Sequence, residues 1–407
     1  MIPKVLLVHP GTQYSHQIAK QLFRKKILFY FITGYTIAEN SLLVLLLKKY
    51  FPLFHRKLSN RIIQHIPNNK LKTFPFHEIK SLIKIKGNAS EKIYFERNNI
   101  FQHKIAKNIL SKSSIVIGFD TSSLVLIKRA NELNKPFILD VSIAHSITKN
   151  KIYNTLVQVF PEWAQFIELK EPQYIELEQQ EFINANALVV ASKFTMQTLI
   201  DQGINPSKIF INPYGINLDD FALKQTYSSN NNIKFIFIGL VDVRKGIPFL
   251  LNTWKKINSS SLELSLVGSI TDDVKNIITD KFSNLNITIQ GKIPHSELPV
   301  LLVKHDVFIF PTYFEGFGLV ILEAMACGLP VITTTASAGP DIIENGKEGF
   351  IIEAGDEIAL TNAINFFIDN PTQIEIMGRA ARKKAAQYSW DAYGERWEKI
   401  IQSILLN

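Results

Sequence analysis

Glu315 and Glu323 stand eight positions apart in the segment Phe310-Pro-Thr-Tyr-Phe-Glu-Gly-Phe-Gly-Leu-Val-Ile-Leu-Glu-Ala-Met-Ala-Cys-Gly-Leu-Pro330. The apolar run Val307 to Phe310 reads as a buried strand that delivers the chain to a glycine-broken loop. Past Gly318 the apolar spacing becomes helical (Leu319, Ile321, Leu322, Met325) and stops at Gly328. Glu315 is then a loop carboxylate, and Glu323 lies about one turn inside a helix. Between them fall the free N–H groups of a helix N-terminus, which favour an anion such as phosphate.

A second element brings cations. Phe235-Ile-Phe-Ile-Gly-Leu-Val-Asp-Val-Arg-Lys-Gly246 reads as strand, loop and helix start. Gly239 allows the tight turn, and Arg244 with Lys245 carries the charge to neutralise a diphosphate leaving group. Alone, the pair reads more readily as a solvated basic face. Set against the Glu315 loop at the equivalent end of another strand, it reads as a site, because ligands of open sheets lie off the carboxyl ends of strands. A sugar near one carboxylate, a ribose near the other and a diphosphate between them fit this layout. His145 follows the strand-like run Phe137–Val141, where it would donate to a sugar hydroxyl or serve as an ordinary polar loop residue. Gly11, after the first strand, either lets backbone approach a ligand or simply makes a turn.

These residues need a scaffold that presents strand ends. Strand-like runs recur at Lys4–His9, Ile115–Gly118, Pro136–Val141, Ala187–Ala191 and Ile209–Pro213. A second series follows at Lys234–Gly239, Glu263–Gly268, Ile287–Gly291, Val307–Phe310, Val331–Thr334 and Gly349–Ile352. Helical stretches between them predict an α/β chain of two Rossmann-like, doubly wound domains. A length of 407 residues agrees with two cores. The expected division is residues 1–226, a linker at 227–232 (Tyr227-Ser-Ser-Asn-Asn-Asn232), a second domain at 233–386 and a tail at 387–407. The tail, with Ser389 as a cap, reads as an amphipathic helix expected to pack back on the first domain.

Charge is unevenly placed. Residues 1–107 contain 19 Lys/Arg and 4 Asp/Glu, whereas the whole chain carries a net +9. The excess sits in stretches that interleave cations with apolar residues, Gln21–Phe29 and Leu42–Lys57. Such stretches fit an anionic membrane surface, at about 1 kcal/mol per nearby cation, and equally a Lys-rich face over a packed apolar stripe. No recognised nucleic-acid motif accompanies the charge. The opening run reads as a first strand, being too short for a signal-peptide core. No stretch has the roughly 20 apolar residues of a spanning helix. The one cysteine, Cys327, excludes an internal disulfide and reads as a packed thiol of a cytoplasmic chain. There is no GxGxxG after either first strand, no Walker loop and no metal-ligand spacing, so neither a cofactor nor a metal is expected.

Taken together, these motifs resemble the family 4 glycosyltransferases, retaining enzymes of the GT-B fold. The resemblance runs from about Glu181 to Trp390 through Asn186–Thr195, Asn212–Phe221, Gly239 to Gly246, the two glutamates, Ala338–Gly346, Glu348–Phe350 and Tyr388–Trp390. It implies a nucleotide-sugar, UDP- or GDP-linked, in a central cleft between the domains, held mostly by the second. Lys245, helped by Arg244, would face the donor diphosphate and Glu323 the ribose. Glu315 with the backbone of Gly316, Phe317, Gly318 and Leu319 would face sugar and phosphates. Lys292 and Ile293 would flank the base, His145 would lie near the transferred sugar, and Gly11 near donor and acceptor. Many members carry Arg where this chain has Leu240. The implied activity is transfer to a saccharide or lipid-linked saccharide in polysaccharide or glycolipid synthesis. Through the basic region it would act at the inner face of the cytoplasmic membrane. The alternative is a catalytically weak, nucleotide-sugar-binding subunit of a glycan assembly complex.

Overall fold

The computed structural model describes residues 2–11, 14–52, 54, 58, 61–76, 78, 79, 81, 91–227 and 232–406. Strands β1 (Val5–His9), β2 (Leu28–Thr33), β3 (Ile37–Ala38), β4 (Ile62–Ile63), β5 (Leu71–Thr73), β6 (Ile115–Phe119), β7 (Phe137–Val141), β8 (Ala187–Val190) and β9 (Ile209–Ile211) lie in the first part of the chain. Seven of them form a parallel sheet in the order β5-β2-β1-β6-β7-β8-β9, and β3 pairs with β4 apart from it. Further on, β10 (Ile233–Ile238), β11 (Leu262–Val267), β12 (Ile287–Gln290), β13 (Val307–Phe310), β14 (Val331–Thr334) and β15 (Gly349–Ile352) make a second parallel sheet, ordered β12-β11-β10-β13-β14-β15.

Parallel strands joined by helices are covered on both faces, which explains their unbroken apolar runs. In β1, Val5 and Leu7 point into one hydrophobic layer and Leu6 and Val8 into the other. The first of these layers continues into the second domain through Tyr214, Phe317 and Trp397. Each such buried Val, Leu or Phe contributes about 1.5–3 kcal/mol, so the two sheets are rigid platforms for the loops at their ends.

In the second sheet the strand order reverses between β10 and β13, which pair Phe235 with Val307 and Ile236 with Phe308. The corresponding reversal in the first sheet lies between β1 and β6. Loops leaving adjacent strands at such a point diverge and open a crevice. The Arg244 and Glu315 loops leave β10 and β13, one on each side of it.

Four strands depart from the sequence reading: β2, β5 and the two-residue pair β3 and β4. Leu28–Thr33, partly inside the segment read as a basic amphipathic stretch, is the strand β2 beside β1. Its preceding cations Lys25 and Lys26 sit in the turn after the helix Ser15–Arg24, with Lys26 in a left-handed conformation (φ 60°). The alternation there marks a turn between two buried elements, not a cationic helix face. β5 at 71–73 pairs with β2 but is only three residues long, too short for a periodicity to show.

The final helix, Trp390–Leu406, lies against the helix Ser15–Arg24. Arg24 pairs with Asp391 at 2.7 Å and Lys25 with Glu398 at 2.7 Å, and Ser389 Oγ accepts from the N–H of Ala392. Tyr227 is tied to the second domain by a 2.9 Å bond from its hydroxyl to the carbonyl of Gly328. The expected linker positions 228–231 lie outside the described residues, as do 53 and 55–57 of the basic segment Leu42–Lys57.

Candidate active site

The Arg244 loop is folded by its own backbone. Asp242 Oδ1 accepts from the N–H of Lys245 at 2.9 Å, closing the turn, and Gly246 then takes a left-handed conformation (φ 76°). A Cβ on Gly246 would sit 2.0 Å from the carbonyl oxygen of Pro311, so only glycine lets this loop pass the one that follows β13. The two loops then zip together, the N–H of Tyr313 donating to the carbonyl of Arg244 at 2.9 Å.

This crossing places three charges in one cluster. Arg244 Nη1 lies 3.3 Å from Glu315 Oε2, and Lys245 Nζ bonds the same oxygen. All three side chains are largely buried, with Lys245 also over the ring of Phe310 at 4.6 Å. Burial pushes the Glu315 carboxyl up, but Lys245 and Arg244 outweigh it and hold the group below the ordinary carboxylate range. Burial pulls the Lys245 ammonium down against the attraction of Glu315. The cluster is an ion pair held mostly out of water.

Gly318, also left-handed (φ 84°), starts the helix Leu319–Ala326. Glu323 is its fifth residue and points back toward the start, as helical side chains do. Its side chain is 5% exposed; Oε1 accepts from His295 Nε2 at 2.7 Å, and the buried Oε2 has no partner among the described residues. The hydrogen bond to Glu323 raises the His295 pKa above its ordinary value, burial opposing it. Glu323, His295 and Leu319 line one side of an interdomain cavity of about 680 Å3, with Tyr14 and Lys20 opposite. Burial, then the charges of Glu315 and Glu323, raises the Tyr14 hydroxyl pKa.

Gly316 joins the domains. Its carbonyl accepts from Ser192 Oγ at 2.6 Å and Thr195 Oγ1 at 3.3 Å, both in the first domain. A Cβ there would overlap the carbonyl oxygen of Ser142 at 1.9 Å. Phe317, buried beside Tyr214 at 5.2 Å between ring centres, anchors the seam in the core.

The expected residues are therefore not all in one place. Glu315, Gly316, Phe317, Gly318, Leu319, Arg244 and Lys245 converge on the seam, with Glu323 a helical turn away. Gly239 ends β10, and its carbonyl oxygen lies where a Cβ of Gly268 would fall, at 1.8 Å. Lys292 is exposed and Ile293 half-buried against the core, on the loop that carries His295. Gly11 folds onto its own strand: its N–H donates to His9 Nδ1 at 2.9 Å and its carbonyl accepts from Thr33 at 3.1 Å.

His145 is held within the first domain. It is 1% exposed and caps the helix Ser146–Val159, with Nδ1 accepting from the N–H of Ile147 and Nε2 donating to Gln179 at 2.7 Å. Both ring nitrogens have protein partners in this arrangement. The residue of this loop that reaches the seam is Ser142, whose hydroxyl donates to Asp120 at 2.9 Å. Burial, reinforced by Glu178, pushes the Asp120 carboxyl up to about 6. Sequence reasoning also passed over His295 and Tyr14, three residues beyond Lys292 and beyond Gly11 respectively. Proximity to a predicted loop was the available signal.

Comparison with known proteins agrees with this architecture. Residues 219–384 match the family model of glycosyl transferases group 1. The putative colanic acid biosynthesis glycosyltransferase WcaL of Salmonella typhimurium is 22% identical over 313 residues, 70% of this chain and 76% of its own. Among solved structures, the sucrose-phosphate synthase of Thermosynechococcus elongatus superposes with a TM-score of 0.70 at 19% identity, covering 99% of both chains. HepE of Anabaena, in complex with UDP and glucose, gives 0.63 at 15% identity, covering 98% of this chain and 100% of HepE.

Proposed function

This chain is a group 1 glycosyltransferase with the GT-B fold, and we propose that it moves a sugar, with retention, from a UDP- or GDP-linked donor. The acceptor is a saccharide or lipid-linked saccharide of cell-surface polysaccharide or glycolipid synthesis, a reading supported by the Salmonella relative, which is named for colanic acid biosynthesis. The observation that carries the donor assignment is the unfilled Oε2 of Glu323 on the wall of the 680 Å3 cavity. Buried carboxylate oxygens are nearly always satisfied, and a ribose hydroxyl would satisfy this one. Lys292 and Ile293 would flank the base and Gly11 would approach the donor. Glu315 with the backbone from Gly316 to Leu319 would face sugar and phosphates.

Transfer follows a front-face displacement. The acceptor oxygen bonds to the anomeric carbon on the face from which the diphosphate departs. The carbon–oxygen bond to phosphate breaks with its electron pair on the diphosphate, and the acceptor's proton passes to that oxygen. The step is limited by charge on the leaving group, which Lys245 and the N-terminus of the helix Leu319–Ala326 oppose. Arg244 acts beside them through Glu315. These groups need no metal ion to supply the charge.

A panel of UDP- and GDP-sugars tested for thermal stabilisation identifies the donor. One nucleotide class should raise the midpoint in the native chain and fail to do so in Glu323→Ala. Equal stabilisation of that variant would remove Glu323 from the donor site.

The helix Leu42–Tyr50 supports membrane association as well. Only Val44 of this helix is buried, whereas Leu42, Leu43, Leu45 and Leu46 are exposed and Lys48 and Lys49 follow. An apolar face with cations at its edge enters an anionic bilayer surface favourably. Among the described residues no helix is long and apolar enough to cross a membrane.

A further inference from the structure

On the far side of the Gly316 seam lies a second chamber, of about 630 Å3. Most of its wall comes from first-domain residues between 91 and 170, and the second domain contributes Arg244 and Phe314. It therefore opens on the immediate neighbour of Glu315 but is separate from the cavity that holds Glu323. Phe314 and Tyr153 meet edge to face at 5.2 Å and offer ring surface to a saccharide.

The polar equipment is mainly cationic. Arg97, Lys149, Lys170 and Arg244 reach the chamber, against Glu91 and the exposed Glu168. Three of the cations are already engaged. Arg97 lies 3.7 Å from Glu78, Lys170 lies 3.3 Å from Glu91 and bonds Glu178, and Arg244 bonds Glu315. Lys149 differs: among the described residues its ammonium has no hydrogen-bond or ion-pair partner. It is half-buried where it lines the chamber, and burial, only partly offset by Glu178 and Asp120, pulls its pKa below the ordinary value. A half-buried cation that faces a chamber without a partner is free to pair with an incoming anion.

We propose that this chamber is the acceptor subsite and that the acceptor is an anionic saccharide, its carboxylate or phosphate paired with Lys149. The proposal rests on the glycosyl-transfer reading and adds the chemical class of the acceptor. The anion sits on the receiving sugar or the one beside it, because the chamber has room for about two sugar rings. A neutral acceptor would cover Lys149 without pairing it, so the same residue selects for charge.

The test uses the full chain and three probes: glucose, glucuronate and glucose 6-phosphate, titrated by ligand-observed NMR with and without the stabilising nucleotide. At least one anion should bind about tenfold or more tightly than glucose, the effect of one charge-assisted hydrogen bond. Which anion gains more separates a carboxylate-bearing from a phosphate-bearing acceptor. Lys149→Met should abolish the preference and Lys149→Arg should keep it, while the nucleotide-induced rise in melting midpoint stays in both. That midpoint reports the donor site, so loss of nucleotide stabilisation in the native chain would fault the transfer reading and leave the anion preference readable. Glucose binding as tightly as both anions, a preference that survives Lys149→Met, or no anion binding up to about 50 mM would each overturn the proposal.

Discussion

Lys245 and Glu315, 70 positions apart, form a buried ion pair in the seam between the two domains, and Arg244 reaches the same carboxylate oxygen at 3.3 Å. Each of the two partners is desolvated by burial and kept charged by the other. Removing Glu315 strands the Lys245 charge, whereas removing Lys245 leaves Glu315 paired with Arg244 alone.

Replacing Lys245 by Ala should therefore show two separable effects. Loss of one strong electrostatic group near the leaving diphosphate lowers kcat/KM by on the order of 10²–10³. Loss of one of the two cations on Glu315, with Arg244 remaining, costs about 1.5–3 kcal/mol of stability in a urea melt. A variant with normal kcat/KM shows that Lys245 does not act on the leaving group.

Glu323→Gln keeps the shape of the side chain but removes its charge. Nucleotide-sugar affinity should fall by roughly 10- to 100-fold, as expected for one charge-assisted hydrogen bond, with a smaller change in kcat. Calorimetric titration with the stabilising nucleotide measures it. A loss confined to kcat would move Glu323 from ribose binding to the reacting centre.

The His295–Glu323 contact gives a pH signature. The folded-state pKa of His295 is raised, chiefly by its hydrogen bond to Glu323. Its stabilising contribution is thus complete below the unfolded value of 6.5 and disappears as pH rises through the folded value. The difference in melting midpoint between the native chain and His295→Gln should shrink from about pH 6 to about pH 9. A difference that grows over this range would contradict the ion pair. The effect is small because the imidazole is 69% exposed.

Gly246 and Gly203 share a left-handed backbone, φ 76° and 82°, but not their surroundings. A Cβ at Gly246 meets the Pro311 carbonyl oxygen at 2.0 Å, and at Gly203 nothing lies within 4 Å. Gly203→Ala should cost only the backbone conformational term, about 1–2 kcal/mol. Gly246→Ala should cost more and also lower transfer, since it pushes the Arg244–Lys245 loop away from Glu315. Equal stability losses would show that the loop crossing tolerates movement.

The exposed helix Leu42–Tyr50 predicts binding to vesicles. The double variant Leu42→Ser, Leu46→Ser should fold normally, because both side chains are at least 45% exposed. It should sediment less with vesicles containing anionic lipid. No preference of the native chain for anionic over neutral vesicles would remove the membrane reading.

Much of the site could be read from the chain because its pieces are local. The strand Val307–Phe310, the glycine-broken loop and the helix carrying Glu323 follow from apolar period and glycine placement within 20 residues. The Arg244–Lys245 loop follows β10 in the same way. The surroundings of His145 were not legible, because a histidine after a strand looks the same whether it faces a cleft or caps the next helix. Its two hydrogen-bond partners, Ile147 and Gln179, decide between these, and Gln179 is 34 positions away. β2 was hidden by Lys25 and Lys26, whose place in a turn depends on the helix before it.

The sequence by itself determined two parallel α/β domains, the loops that end β10 and β13, and the residue types needed to bind an anionic donor. Each of these depends on periodicity and on the backbone freedom of glycine, which act over a few residues. Tertiary structure alone decided that Lys245 meets Glu315, that His295 orders Glu323, and that the seam at Gly316 divides the interdomain space into two chambers. It also left Lys149 in one of them without a partner among the described residues. Those outcomes depend on how loops from two sheets cross and on which charges lose water when the domains meet, and no local pattern carries that information.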